Sequence, residues 1–308
     1  MKQLLSVVMV LVVLASCKNG SNEKNDDSSE PEYREVTNEG YSLITPIKKA
    51  GAVLVLFGGY PEKAEDIKRE FKILAAAKEN GIGVLFMNYS QKLWLEQSEK
   101  AQLAEQLKTI FEENELPVEN VYIGGFSSGG IVTLLIGDFI TENSNYGIVP
   151  KGLFIVDSPI DLAELYLASE KNLERNFSEP SVQESTWLIE TLGQKFGHPN
   201  EDISKYQESS VFTLRTRSIL NLQNLRNTKI RLYTEPDTLW WKQNRMADYE
   251  QMNAYHIKNL AEILEKQGYN SVEYIPTVNR GYRANGERHP HSWAIVDQSG
   301  LVNWMLEK

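Results

Sequence analysis

Cysteine is nearly absent: the chain of 308 residues has one, Cys17, so no intrachain disulfide can form. Histidine numbers only four, and His and Cys nowhere cluster at metal-ligand spacing. Neither a metal nor an organic cofactor is expected. Positive charge is in deficit, with 32 Lys and Arg against 42 Asp and Glu and a formal charge of −10. An acidic chain lacks the electrostatic footprint of a nucleic-acid binder, which sets that partner class aside. Long apolar runs are missing as well. The stretch Leu4 to Leu14 is about half of the ~20 residues a spanning helix needs. No self-similarity appears at the 20–50-residue periods of repeat proteins. What is present is ordinary for a globular protein: 41% hydrophobic and 24% charged residues. Wholesale disorder, fibrous repeats and polytopic membrane folds are thereby excluded.

The N-terminus reads as an address rather than a fold. Lys2, a short apolar run and the small residues Ala15 and Ser16 have the layout of a secretory signal over residues 1–16. The tetrapeptide Leu14-Ala15-Ser16-Cys17 resembles a bacterial lipobox, which implies cleavage before Cys17 and lipidation of its thiol. Acyl chains contribute about 0.8 kcal/mol per buried CH₂, so a multiply acylated terminus anchors firmly. Residues 18–32 carry no apolar side chain and cannot offset the entropy of ordering. They read as a polar tether from lipidated Cys17 to a body starting at Tyr33. A lipid-anchored location in a bacterial envelope is expected.

From Tyr33 onward, short apolar runs alternate with amphipathic segments. Ala52–Phe57, Ile82–Met87, Val121–Gly125, Gly152–Val156, Lys229–Tyr233 and Val272–Ile275 are strand candidates. Pro61–Asn80, Leu95–Asn114, Gly129–Phe139, Met246–Lys266 and Ala294–Leu306 have helical spacing. This alternation predicts βαβ units and a mostly parallel sheet covered by helices on both faces. The rhythm breaks from about 160 to 227, a polar stretch without a clear strand, and a helical insertion is expected there.

Gly125-Phe126-Ser127-Ser128-Gly129 is a G-x-S-x-G between a predicted strand and a predicted helix. That placement holds a serine on a sharp exposed turn, and glycines at its flanks allow close helix–strand approach. The register selects Ser127 as nucleophile. Ser128 follows it, so its main-chain N–H is a candidate oxyanion donor. Here the chain resembles the α/β-hydrolase superfamily, over most of its length after the tether. The resemblance implies a second oxyanion donor in the loop after the third strand, where Phe57-Gly58-Gly59-Tyr60 stands in for the usual His-Gly-Gly; Gly59 or Tyr60 supplies the N–H. It also implies the chain order Ser, acid, His. Asp237, shortly after the strand ending at Tyr233, is the favoured acid. Glu235 is a close alternative, and Asp157, one strand earlier, is a third candidate that otherwise shapes the turn into the insertion. His291, just before the closing helix, is the implied base. His289 reads as a rim residue, His198 as an insertion-loop residue and His256 as a helix-surface residue.

Such a set implies attack by Ser127 with His291 as base, tautomer control by Asp237, and an acyl-serine intermediate that water releases. A carboxylic ester is the expected substrate. A peptidase or amidase with the same triad, acting on a peptide-like acyl substrate, is the enzyme alternative, and a non-catalytic binding protein on this scaffold is the other. Trp187, Tyr166, Phe177, Trp240 and Trp241 are aromatics that suit either a core or a site mouth. Arg280, Arg283 and Arg288 lie close to His291 in sequence and suit either loop ion pairs or a carboxylate or phosphate on the substrate.

Overall fold

Strands that are apolar on both faces fold only if both faces are covered, and this governs the architecture. The structure, a computed structural model, describes residues 32–307. The signal segment, Cys17 and the tether up to residue 31 lie outside the described residues. Eight strands form one sheet: β1 (Tyr33–Thr37), β2 (Tyr41–Pro46), β3 (Ala52–Phe57), β4 (Ile82–Met87), β5 (Val121–Phe126), β6 (Pro150–Val156), β7 (Lys229–Thr234) and β8 (Val272–Pro276). Their order is β1-β2-β4-β3-β5-β6-β7-β8. β1 pairs with β2 and β2 with β4 antiparallel, and every later pairing is parallel.

The pleat divides the apolar residues between two cores. Val53, Val55 and Phe57 of β3 point to one face, where helices α3 (Gln97–Glu113), α4 (Ser128–Glu142) and α9 (Asn253–Lys266) contribute Leu107, Ile131 and Leu260. Leu54 and Leu56 point to the other, where α1 (Ala64–Phe71), α2 (Leu74–Glu79) and α10 (Gln298–Leu306) contribute Ile67, Ala77 and Trp304. Each fully buried Leu or Ile contributes about 1.5–3 kcal/mol, and this two-sided burial carries the stability of the sheet.

Between β6 and β7 the chain runs through α5 (Leu162–Arg175), α6 (Glu179–Phe196), α7 (Ile203–Ser209) and a 3₁₀ segment, Leu220–Leu225, without adding a strand to the sheet. The two longer helices have sequence-encoded starts. Asp161 accepts from the N–H groups of Ala163 and Glu164, and Ser178 accepts from that of Ser181. After β7 comes α8 (Thr238–Arg245), capped by Asp237.

Three expectations change. The segment Pro61–Asn80 is two helices, because Lys72 adopts a left-handed φ of 53° and ends α1. Met246 does the same for α8, so α9 starts only at Asn253. The first two strands, β1 and β2, escape the sequence pattern: β1 is mostly exposed, and Ser42 and Thr45 interrupt the apolar run of β2.

Candidate active site

Ser127 sits at the joint of β5 and α4 with φ 53° and ψ −127°. A non-glycine residue held there is strained by about 1–3 kcal/mol, and surrounding packing must enforce it. The glycines make that packing feasible. A Cβ on Gly125 would come within 2.1 Å of Gly129 O, and one on Gly129 within 2.3 Å of Phe57 O. Helix α4 therefore crosses the ends of β3 and β5 at backbone distance, and Ser127 is pushed out of the joint into a cavity of about 570 Å³. The cavity is also lined by Tyr60, Glu62, Phe126 and His291.

His291 reaches the cavity from the loop before the 3₁₀ segment Trp293–Ile295. Its ring packs on Phe126 at a centroid distance of 4.5 Å. Its Nδ1 lies 2.6 Å from Asp157 Oδ2. Asp157 follows β6 directly and is 4% exposed. Its other oxygen accepts from Thr234 Oγ1 at 3.0 Å, its N–H bonds Tyr233 O at 2.9 Å, and its carbonyl accepts from Asn253 Nδ2 at 2.8 Å. β7 and the start of α9 thus hold this carboxylate under the imidazole. Among the described residues, no hydrogen bond joins Ser127 Oγ to His291.

This geometry corrects the expected acid. Asp237 caps α8 through Trp240 N at 3.0 Å and pairs with Arg288 at 2.7 Å. Glu235 is buried, pairs with the same guanidinium at 2.6 Å, and accepts from Thr277 Oγ1 and the N–H groups of Arg280 and Gly281. Both carboxylates organise the loop that carries His291 instead of touching its ring. The reason is reach. Asp157 stands at the very end of a central strand, whereas Asp237 is already folded back into the first turn of α8.

The main-chain donors also sort themselves. Ser128 opens α4, and the first N–H groups of a helix have no partner within it. Tyr60 N donates to Ser128 Oγ at 3.1 Å. Gly59 lies against Ser127, since a Cβ there would meet Ser127 Cβ at 2.9 Å. Its N–H, however, is taken by Glu62 Oε2 at 2.9 Å, so Gly59 does not offer the free donor expected of it. Glu62 also accepts from Trp293 Nε1 at 3.1 Å, and burial pushes its carboxyl up to about 7 despite those two hydrogen bonds. The sequence reading missed this residue, because nothing in Pro61-Glu62-Lys63 distinguishes it from a helix-entry acid.

The remaining histidines differ from expectation in two cases. His289 is not on the rim: it is 5% exposed, packs against Trp240 and Trp241, and its Nδ1 lies 3.0 Å from His291 O. Burial first, then the cationic neighbourhood of His291, Arg283 and Arg245, pushes its pKa down to about 3, so the ring is neutral at physiological pH. His256 is buried on α9, where desolvation lowers its pKa, and not on the helix surface. His198 pairs with Glu170 at 3.3 Å in the insertion. Of the aromatics, Trp187 stacks on Tyr60 at 5.6 Å with both rings exposed, Trp241 lines the cavity, and Tyr166 is buried in the core. No group of three metal-ligating side chains occurs among the described residues, and none of their helices is long and apolar enough to cross a membrane.

No protein-family model matches the chain, and no curated protein sequence does. Solved structures share its fold. The S-formylglutathione hydrolase FrmB of Staphylococcus aureus is 13% identical, with a TM-score of 0.51, over 91% of this chain and 100% of that one. FphF, a fluorophosphonate-binding serine hydrolase of Staphylococcus aureus, gives 13% and 0.52 over the same shares. An esterase/lipase from an uncultured bacterium gives 12% and 0.52, over 90% of this chain and 86% of that one. The chain has the α/β-hydrolase fold.

Proposed function

We propose that this protein is a serine hydrolase that cleaves carboxylic esters through an acyl-enzyme, with Ser127 as nucleophile, His291 as base and Asp157 as the acid behind it. One observation carries the reading. A serine held in a strained strand–helix turn shares a cavity with a histidine whose far nitrogen is bonded to a buried carboxylate. The bond to Asp157 keeps the proton on Nδ1 and leaves Nε2 as the acceptor. During attack, Ser127 Oγ bonds to the carbonyl carbon, its proton passes to Nε2, and the carbonyl electron pair moves to oxygen. The Ser128 N–H is the first donor to that oxyanion. The Tyr60 N–H is the second, released when the Ser128 hydroxyl rotates away. Collapse expels the alcohol, which takes the proton from His291. Water then repeats the sequence on the acyl-serine and releases the acid. The solved structures of like fold named for esterase, lipase and thioester-hydrolase activity support ester over amide chemistry. The lipobox-like Leu14-Ala15-Ser16-Cys17 supports a lipid anchor on an envelope membrane, with the polar stretch after it as tether.

The test is labelling of the purified protein with a fluorophosphonate, followed by turnover of short acyl esters. Wild-type protein is expected to label and to hydrolyse, and Ser127→Ala to do neither. A folded wild type that stays unlabelled and inert refutes the reading.

A further inference from the structure

The wall of the cavity beyond His289 carries more positive charge than its ion pairs use. Four arginines stand near it. Arg69 is paired with Asp66 and Glu70, and Arg288 with Glu235 and Asp237. Arg283, from the loop after β8, and Arg245, from the last turn of α8, line the cavity together with Ser127 and His291. Among the described residues, neither has a carboxylate within ion-pair distance. Arg245 is half-buried and Arg283 exposed, so both guanidiniums are open to a ligand entering the cavity. They come to the same cavity wall from two separate segments, beside the buried imidazole of His289. His289 offers them no negative charge, since an imidazole is either neutral or cationic, and its Nε2 is buried without a hydrogen-bond partner. The protein as a whole carries a formal charge of −10, so two arginines without ion-pair partners at one cavity are a local feature and not part of a basic surface.

We infer that Arg245 and Arg283 form an anion subsite, and that the substrate is an ester bearing a carboxylate remote from its scissile carbonyl. This rests on the hydrolase reading above and narrows its substrate class. Planar guanidiniums match a carboxylate in shape and hydrogen-bond it strongly. A single negative charge suits the site better than a phosphate dianion, because Glu62, Glu70 and Glu184 line the same cavity and disfavour a second charge. The subsite contributes orientation: it holds one end of the substrate while the carbonyl rests at Ser127.

The experiment compares four chromogenic or ultraviolet-monitored esters on the purified protein: mono-p-nitrophenyl glutarate, with the carboxylate on the acyl side, against p-nitrophenyl butyrate as its neutral match, and 4-acetoxybenzoate, with it on the leaving side, against phenyl acetate. One carboxylate-bearing ester is expected to exceed its neutral match at least tenfold in kcat/KM, mainly through KM. Which one does so identifies the side on which the subsite lies. In Arg245→Gln and Arg283→Gln that ratio is expected to fall at least fivefold, and high salt is expected to lower it in the wild type. Equal ratios in wild type and variants, or a wild-type preference for both neutral esters, overturn the proposal. If no ester is turned over, the hydrolase reading fails and the subsite is judged by calorimetry with monomethyl glutarate, which carries one carboxylate. Binding that weakens at least fivefold in both variants keeps the subsite; no binding to wild type removes it. A preference for a phosphorylated ester over both carboxylates overturns the assigned chemistry.

Discussion

Replacing Asp157 by Asn separates the two ways of reading this chain's acid. Asn tolerates the left-handed backbone that Asp157 adopts at φ 45°, and it fills the same volume. Its carbonyl oxygen can still accept from Thr234 Oγ1, so the strand ends stay joined. The atom facing His291 becomes an N–H donor where the wild type offers an acceptor at 2.6 Å. The imidazole must then accept at Nδ1 and carry its proton on Nε2, the position that has to receive the serine proton. The loss of the correct tautomer in such a triad lowers kcat about 10⁴-fold, which is about 5 kcal/mol of transition-state stabilisation. The control is Asp237→Asn. Asn caps a helix as well as Asp does, and the half-exposed ion pair with Arg288 is worth about 1 kcal/mol. Activity is expected to stay within about threefold of wild type. The assay is kcat for a short p-nitrophenyl ester in both variants, with melting curves to show that each is folded. A D157N enzyme within tenfold of wild type, or a D237N enzyme as crippled as D157N should be, refutes the argument.

Two further predictions concern the loop before His291 and the turn after β3. Arg288→Gln leaves Glu235, whose side chain is 1% exposed, without its cation. Breaking a buried pair costs about 3–5 kcal/mol. The hydrogen bonds from Thr277, Arg280 and Gly281 hold the loss to the lower end, which is roughly 6–12 °C in melting temperature; an unchanged melt counts against the clamp. Glu62→Gln tests the carboxyl pushed by burial from its ordinary 4.5 to about 7. An acid whose folded pKa is raised binds its proton longer in the folded state, so wild-type stability falls as pH rises from about 4.5 to 7 and is level above that. Gln has no such term. The stability difference is expected to move in favour of the variant by about 3 kcal/mol between pH 4 and pH 8, read from urea unfolding at both pH values, and a pH-independent difference contradicts the burial of this carboxyl.

The pattern of residues by itself determined the six strands β3 to β8, the helix-rich stretch between β6 and β7, and the seating of Ser127 between a strand and a helix. Those features rest on local chemistry: two-sided burial demands continuous apolar runs, and close helix–strand approach demands glycine. His291 came forward only through the resemblance, which implies a base just before the closing helix. The first two strands were not legible, since β1 buries little and β2 mixes polar residues into its run. Tertiary structure alone decided which carboxylate stands under His291. Asp157, Glu235 and Asp237 all follow strands and all lie before His291 in sequence, so spacing cannot rank them. The choice turns on Arg288 and α8 claiming two of them and on Thr234 and Asn253 steering the third, contacts that join residues tens of positions apart. The same holds for Glu62 on the Gly59 N–H and for the unpaired Arg245 and Arg283: a charge in a sequence has no sign of whether a partner waits for it, because pairing is settled only when distant segments meet.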